Sequence, residues 1–279
     1  MADPSEFAPG RLVQLTPLVG RITASNPGVM TGPGTNTYVV GNRAGVVVID
    51  PGPDEGAHLD AVAGAAAAAG GTIAILTTHT HPDHAPGAPG LGERTGAPIV
   101  GFEARDEFVP DCTLADGDRV AGDGFAIVAV HTPGHAGNHL CYLLEEERLL
   151  FSGDHVMSGS TVVISPPDGD MAAYLASLER CLAMGLHAIA PGHGRLITDP
   201  SAALREYIDH RRERERQVLD AVTPGPAMID DVVTALYPDL IEELVPRAGQ
   251  SVWAHLIKLA REGRVSGTDR HEPWQATAR

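Results

Sequence analysis

At residues 79–84 the chain reads His79-Thr80-His81-Pro82-Asp83-His84, which places four potential metal ligands within six residues. This segment directly follows an apolar run at residues 72–78 that has the composition of a strand buried on both faces. A regular helix or strand could not turn all four ligand side chains toward one ion, but a loop at a strand end can direct them toward two. The segment therefore predicts a dinuclear metal site at the edge of an α/β sheet.

Three further potential ligands occur later in the chain, each in a glycine-flanked turn after a predicted strand: His135, Asp154 and His193. Together with residues 79–84 they supply five imidazoles and two carboxylates. Nitrogen and oxygen ligands without a thiolate suit zinc, and also manganese or iron. Polar residues just beyond the ends of apolar strands are typical of the sites that α/β sheets carry.

The hydrophobic pattern predicts alternating strands and helices, followed by a smaller helical module. Predicted strands cover residues 35–40, 45–50, 72–78, 125–130, 140–144, 148–152 and 187–190. Predicted helices cover residues 58–70, 171–185 with Asp170 as N-cap, 202–222, 228–237 and 251–262. We predict an α/β (α+β) domain at 1–200, a linking charged helix at 201–223, and a winged-helix-like domain at 224–279 with a terminal hairpin.

Composition excludes several classes of protein. With 20 Lys and Arg against 36 Asp and Glu, the net charge of −16 opposes a broad basic surface for duplex DNA. Three cysteines cannot form a disulfide framework and indicate a reducing compartment. The sequence shows neither an apolar leader nor a membrane-spanning run. We therefore expect a cytoplasmic protein without a membrane partner.

The seven ligands, in this order and spacing, resemble the pattern of the metallo-β-lactamase superfamily. The resemblance implies an αβ/βα sandwich over residues 1–200 and a hydrolase that uses a metal-bridged hydroxide from two Zn²⁺ ions. It assigns the ligands as His79, His81 and His135 for the first metal, Asp83, His84 and His193 for the second, and Asp154 as the bridging carboxylate. Asp83 would also orient the nucleophile, so Asp83 and Asp154 are the predicted catalytic residues. His81 stands where flavo-di-iron relatives often carry Glu, which favours zinc hydrolysis over redox iron.

The chain also resembles the β-lactamase-like protein 2 family, whose animal member is an endoribonuclease. The matching stretches are Gly34-Thr35-Asn36-Thr37-Tyr38, His131-Thr132-Pro133-Gly134-His135, Pro191-Gly192-His193-Gly194, the helix motif His210-Arg211-Arg212-Glu213-Arg214-Glu215 and the C-terminal module. This resemblance implies cleavage of single-stranded RNA. The alternative is a thioesterase acting on an acyl-glutathione or acyl-carrier substrate, which the acidic composition and the 4% aromatic content favour.

A third hypothesis is a DNA-binding regulator with a vestigial metal site, although the intact ligand set argues against it. We expect no sequence-specific binding of duplex DNA. The sequence leaves open whether the protein forms a homodimer. Four more residues could support ligands or contact substrate: Asn36, Tyr38, His139 and His155. The arginine-rich helix 205–216 could contact RNA phosphates or could be a solvated, self-paired helix.

Overall fold

The computed structural model describes residues 4–159 and 161–277. Contacts among these residues form two compact units. The first comprises Met1–Thr132, Asn138–Ser160 and Gly185–Pro200, and the second comprises Pro133–Gly137, Thr161–Met184 and Ser201–Arg279. These units interleave along the chain, whereas the predicted domains follow chain order with boundaries at residues 200 and 223.

The first unit contains a seven-stranded mixed sheet whose strands lie side by side in chain order. The strands are β1 Val13–Gln14, β2 Val19–Thr23, β3 Asn36–Asn42, β4 Gly45–Ile49, β5 Thr72–Leu76, β6 Ile99–Gly101 and β7 Cys112–Thr113. Pairing is antiparallel from β1 to β4 and parallel from β4 to β7. Strand β5, which leads into the main ligand segment, is therefore parallel to its neighbours β4 and β6, and the carboxyl ends of these three strands share one edge.

A second, five-stranded sheet completes the strands of this unit, in the order β12-β11-β10-β9-β8. Its strands are β8 Arg119–Gly122, β9 Phe125–His131, β10 Leu140–Leu144, β11 Leu149–Gly153 and β12 Ala188–Pro191. Only β11 and β12 pair in parallel within this sheet. As a result, Asp154 and His193 follow neighbouring strand ends.

Strand β4 is buried on both faces, as its continuous apolar run predicts. Val47 and Ile49 join a core that includes buried side chains of both sheets. Val46 and Val48 join a second core with helices α1 (Gly56–Ala68) and α2 (Gly87–Thr95). This alternation follows from the two-residue period of a strand.

The second unit is mainly helical. Its elements are α3 Met171–Ala183, α4 Pro200–Ala221, α5 Ile229–Leu236, α6 Val245–Arg261 and the hairpin β13 Val265–Ser266 with β14 Gln275–Ala276. Asp170 caps α3 as predicted, because its side chain accepts a hydrogen bond of 2.9 Å from the Ala173 N–H. Trp274, only 1% exposed, packs in the core that joins α4, α5 and α6.

The seven predicted strands and five predicted helices are confirmed, with shifted ends. Helix α2 was not predicted, since its sequence contains three glycines and a proline. Burial of Ala88 and Leu91 stabilises it where intrinsic propensity does not. Among the described residues, no helix is both long and apolar enough to cross a membrane.

The charged helix α4 differs from both predictions made for it at one position. Arg212 and Arg216 form exposed ion pairs with Glu179 and Glu213, as a solvated helix predicts. Arg211 is instead buried, with 3% of its surface exposed. It donates a hydrogen bond to the Val162 carbonyl oxygen. This arginine is therefore neither exposed to water nor accessible to RNA phosphates.

Gly134 is required where a loop passes close to a helix. Its φ is +140°, and a Cβ atom there would lie 2.3 Å from the Cα of Tyr174. Real Cβ atoms do not approach backbone so closely, so any larger residue must displace either the loop or α3.

We expect Gly134→Ala to lower the free energy of unfolding by about 3 kcal/mol, because overpacking adds to backbone strain. Gly117→Ala is the matched control, since Gly117 also has a positive φ (+87°) but nothing lies within 4 Å of the added atom. That control should lose only about 1 kcal/mol. Urea unfolding of both variants measures the difference, and equal losses would contradict the close approach.

Candidate metal centre

The predicted ligands of the first unit lie just beyond strand ends. Residues 79–84 follow β5, Asp154 follows β11 and His193 follows β12. The Gly192 N–H donates to the Gly153 carbonyl oxygen at 2.8 Å and joins the last two turns. A Cβ on Gly192 would lie 2.9 Å from Asp154 Oδ1, so only glycine leaves room for the ligand atoms.

Four ligand atoms converge at one point of this unit. His84 Nε2 lies 3.4 Å from both Asp83 Oδ2 and Asp154 Oδ1. His193 Nε2 lies 3.2 Å from Asp83 Oδ2 and 3.3 Å from Asp154 Oδ1. Each imidazole nitrogen therefore faces the same two carboxylate oxygens.

These separations fit a metal ion better than a set of direct hydrogen bonds. Zinc binds nitrogen and oxygen at about 2.0–2.2 Å, and the edges of a tetrahedron of that size measure about 3.3–3.6 Å. Charge-assisted hydrogen bonds are shorter, about 2.7–2.9 Å. The donor set of Asp83, His84, Asp154 and His193 thus has the chemistry and spacing for one divalent cation.

A second group of ligand atoms lies beside the first. His79 Nε2 and His81 Nδ1 are 2.9 Å apart, and each of the two rings offers a nitrogen within 4.8 Å of a carboxylate oxygen of Asp154. The structure therefore brings six predicted ligands of the first unit into two adjoining groups that share Asp154. The seventh, His135, belongs to the second unit, where its Nδ1 lies 2.8 Å from the Val163 carbonyl oxygen.

The electrostatics of the site keep its carboxylates ionised. Burial alone would raise the pKa of Asp154, but the charge of His84 and the close contacts of His193 and His84 with its carboxylate hold that pKa well below its usual value. Asp83 behaves in the same way, with a pKa below its ordinary range. Burial lowers the pKa of His193, yet its close contacts with the carboxylates of Asp154 and Asp83 raise it to about 9. The carboxylates thus favour positive charge at their meeting point, as a cation site requires.

His79 has the opposite character. Burial, followed by the charges of His84 and His81, lowers the pKa of His79 well below its ordinary value. A neutral imidazole is the form that binds metal, so His79 needs to release no proton to serve as a ligand.

Asp50 is the main site residue that the sequence reasoning missed. Its Oδ1 accepts a hydrogen bond of 2.7 Å from the Thr78 N–H, and its Oδ2 accepts one of 2.8 Å from the Thr78 hydroxyl. The same Oδ2 lies 2.8 Å from His84 Nδ1, which directs His84 Nε2 toward the other ligands. Thr78 Oγ1 lies 3.0 Å from His79 Nδ1, so Asp50 supports ligands of both groups.

The sequence did contain a signal for Asp50. This residue is the last of the predicted strand at 45–50, at the same sheet edge as residues 79–84. Its φ of +52° is uncommon for a non-glycine residue and marks a position under functional constraint.

Thr35 is a further supporting residue, and it contacts Asp83. Its hydroxyl lies 3.1 Å from Asp83 Oδ2. The Asn26 side-chain amide donates to the same hydroxyl at 2.9 Å, which leaves the hydroxyl proton for Asp83. The preceding carbonyl, of Gly34, lies 3.3 Å from His193 Nδ1. One short segment therefore supports two ligands of the first group, Asp83 and His193.

Asn36 and Tyr38 hold the loop that carries His193. The Asn36 amide donates to the carbonyl oxygens of Pro191 and Gly194 at 3.0 and 2.9 Å. The Tyr38 hydroxyl donates to Pro191 O at 2.7 Å. Both side chains are buried, so their contacts favour ligand support over substrate contact.

His139 and His155 lie buried near His79. The His139 and His79 ring centroids are 5.0 Å apart, and those of His139 and His155 are 6.1 Å apart. The Thr132 hydroxyl donates to Cys141 Sγ, so it accepts from His139 Nδ1 at 2.9 Å. Full burial of His155 suits a structural role better than proton donation to a leaving group.

Comparison with known proteins identifies both parts of the chain. The family profile of the metallo-beta-lactamase superfamily matches residues 30–193, and that of the beta-lactamase associated winged helix domain matches residues 229–274. The first match contains all seven predicted ligands. The second match contains α5, α6 and the hairpin strand β13.

Two curated relatives align along most of their length. A beta-lactamase-like protein 2 homolog of Drosophila melanogaster is 35% identical, with 91% of each chain covered. An atrochrysone carboxyl ACP thioesterase of Aspergillus chevalieri is 33% identical, with 91% of this chain and 84% of the relative covered. A beta-lactamase domain protein of Burkholderia ambifaria has the same fold, with a TM-score of 0.83, 19% identity, and coverage of 97% of this chain and 94% of that protein.

We expect Asp50→Asn to weaken metal binding by about 10–100-fold, because an amide cannot accept all the hydrogen bonds that orient His84 and Thr78. Metal competition with a chelator measures the loss. Asp60→Asn is the control, since Asp60 is exposed and pairs with Arg94 on the surface, away from the candidate ligands. Equal metal affinity in both variants would contradict the role of Asp50.

We expect Thr35→Val to weaken one of the two metal sites by about tenfold, because valine keeps the shape of threonine but cannot donate to Asp83. Thr95→Val provides the same change on α2, where the hydroxyl donates only to its own helix at Leu91 O. Stepwise metal titration resolves the two sites. A Thr35→Val protein that binds both metals as tightly as Thr95→Val would rule out this support.

Proposed function

Because this chain belongs to the metallo-beta-lactamase superfamily of metal-dependent hydrolases, we propose that it is a dinuclear zinc hydrolase whose preferred substrate is an acyl thioester. The observation that carries the hydrolytic assignment is the convergence of Asp83, His84, Asp154 and His193 at separations of 3.2–3.4 Å. Oxygen and nitrogen ligands without thiolate suit zinc as the resident ion.

In this proposal the ligands divide as the resemblance implies. His79, His81 and His135 hold the first metal, and Asp83, His84 and His193 hold the second. Asp154 serves both, consistent with its place in both groups of ligand atoms. Bound ions of this kind supply Lewis acidity, activate water as a nucleophile at neutral pH and stabilise negative charge in the transition state.

The protein's own groups then control geometry. Asp50 and Thr78 hold His84 and His79, while Asn36 and Tyr38 hold the loop of His193. The Asp83 side chain is 25% exposed, against 14% for Asp154, so Asp83 is the carboxylate better placed to face an incoming substrate. We assign Asp83 the additional role of orienting the attacking water, with its Oδ2 fixed by Thr35.

The thioester is favoured over RNA by charge. The net charge of −16 opposes the approach of a long polyanion. On α4, Arg211 contacts a buried carbonyl, Arg214 stacks 4.2 Å over the Tyr237 ring, and Arg216 pairs with Glu213 and Asp220. These engagements remove most of the arginines that could have bound phosphates. The thioesterase named among the relatives supports the same choice.

Single-stranded RNA is the second candidate. It is favoured by the resemblance of the residue 34–38 and 210–215 motifs to the β-lactamase-like protein 2 family. The same ligand set could support attack on a phosphodiester, since such sites stabilise charge on phosphorus and carbonyl centres alike.

A panel assay decides between the candidates. We expect purified, metal-quantified protein to hydrolyse an acyl-glutathione or acyl-carrier thioester, and Asp154→Ala to lower kcat/KM by about 10³-fold or more, since a shared metal ligand contributes several kcal/mol to the transition state. A labelled single-stranded RNA is assayed in parallel under the same conditions.

Asp239→Ala is the control for this assay, because Asp239 is an exposed carboxylate outside the ligand groups. RNA cleavage that Asp154→Ala abolishes, without thioester turnover, would replace the first proposal by the second. Full activity of Asp154→Ala on either substrate, with both metals retained, would refute the ligand assignment itself.

A further inference from the structure

The loop that carries His135, residues 133–137, is held by the chain segment 161–177. The Ser177 hydroxyl donates to Pro133 O at 2.9 Å, and the Asp170 N–H donates to Gly134 O at 2.9 Å. The Gly137 N–H donates to Asp168 Oδ1 at 3.0 Å. The fourth contact, between the His135 ring and Val163 O, is the one that determines how the imidazole is oriented.

This contact also determines the tautomer of His135. A carbonyl oxygen can only accept, so His135 Nδ1 carries the proton in the 2.8 Å contact with Val163 O. The lone pair of a neutral ring then lies on Nε2, the nitrogen that remains for a metal. The position of the Val163 carbonyl is therefore a requirement for His135 to act as a ligand.

The segment that provides Val163 is not part of a sheet. Residues 161–165 form neither a helix nor a strand. The side chains of Val162 and Ile164 are buried, at 2% and 0% exposure, while Val163 is half-buried between them. This alternation is that of an extended chain, in which neighbouring carbonyls point to opposite sides. Without a strand partner, those carbonyls need other donors.

Arg211 of α4 is the donor for Val162. Its guanidinium donates to the Val162 carbonyl oxygen and lies with its carbon 5.3 Å from the centre of the Tyr174 ring. The residue is 3% exposed. Burying a cation is costly, but the guanidinium supplies the donor that the buried Val162 carbonyl needs, which an apolar side chain of similar size could not do. Arg211 is therefore the group that fixes the position of this peptide.

The same helix is anchored one turn later. Glu215 lies 2.7 Å from Lys258 Nζ of α6 and accepts from Arg264 at 3.3 Å. Arg261 of α6 pairs with Asp170, the residue that caps α3 and also contacts Gly134. The C-terminal module thus holds α4 and the start of α3, the two elements that flank the His135 loop scaffold.

We infer that Arg211 is a positioning residue for the metal centre: it fixes the Val162–Val163 peptide so that the Val163 carbonyl orients His135 and holds its proton on Nδ1. This inference rests on the proposed function, in which His135 binds the first metal. It also gives the C-terminal module a role in the chemistry of the site without any contact with nucleic acid.

The test compares Arg211→Gln and Arg211→Lys with the control Arg212→Gln. Arg212 is the neighbouring arginine, its side chain is 61% exposed, and it pairs with exposed Glu179. The metal-depleted proteins are titrated with cobalt(II), and visible absorption measures how tightly each of the two sites binds the ion. We expect one of the two cobalt equivalents to bind about 10–100-fold more weakly in Arg211→Gln, with an altered spectrum, and Arg211→Lys to be intermediate.

Nitrogen-15 NMR of histidine in the metal-depleted proteins gives a readout that does not depend on metal. Wild type and Arg212→Gln should hold His135 as a single Nδ1–H tautomer, and Arg211→Gln should show a mixture. A purely structural role would lower thermal stability but would leave both the tautomer and the cobalt spectrum of the folded protein unchanged.

Unchanged cobalt binding and an unchanged tautomer in Arg211→Gln would overturn the inference, as would equal losses in Arg212→Gln. If Arg211→Gln does not fold, Arg211→Lys against Arg212→Lys is judged by the same two readouts. Wild-type protein that binds two cobalt ions but hydrolyses no panel substrate would refute the proposed function and leave the positioning role standing. Normal hydrolysis by wild type, together with unchanged cobalt binding and an unchanged tautomer in Arg211→Gln, would support the proposed function and overturn the positioning role.

Discussion

The candidate site depends on the hydrogen bonds that the carboxylate of Asp50 makes. Its two oxygens accept from the backbone and the hydroxyl of Thr78 and contact His84, and through Thr78 they reach His79. A buried carboxylate that lost these donors would bear a large desolvation cost, so each of these contacts stabilises the arrangement. Because β4 pairs with β5, Asp50 just beyond the end of β4 lies beside the residues that follow β5. It thereby holds ligands of both groups in place.

Much of the fold and the clustering of most candidate ligands could be predicted from the sequence, for identifiable reasons. Buried strands such as β4 and β5 are continuous apolar runs, and turns rich in glycine follow them, so candidate ligands just beyond strand ends could be recognised without a structure. The site residues that escaped prediction act through partners distant in the chain. Asp50 contacts His84, 34 residues away, and Thr35 contacts Asp83, 48 residues away.

Arg211 escaped prediction for a different reason. Charges of both signs alternate along α4, and this pattern is typical of a solvated helix. The interpretation as a solvated helix holds for Arg212 and Arg216, whose exposed side chains pair with Glu179 of α3 and with Glu213. Arg211 is buried because a segment without strand partners needs a donor for its carbonyl, and no local pattern within α4 encodes that need.

The interleaving of the two units along the chain has a consequence for biosynthesis. The His135 loop leaves the ribosome 76 residues before Arg211 (211 − 135 = 76) and still earlier than α6. A nascent chain that ends before Arg211 therefore contains all seven ligands of the proposed site but lacks the donor that supports one of them. In the proposed site the support for His135 is therefore added after all of the ligands, and a metal acquired earlier would bind before that ligand is held in place.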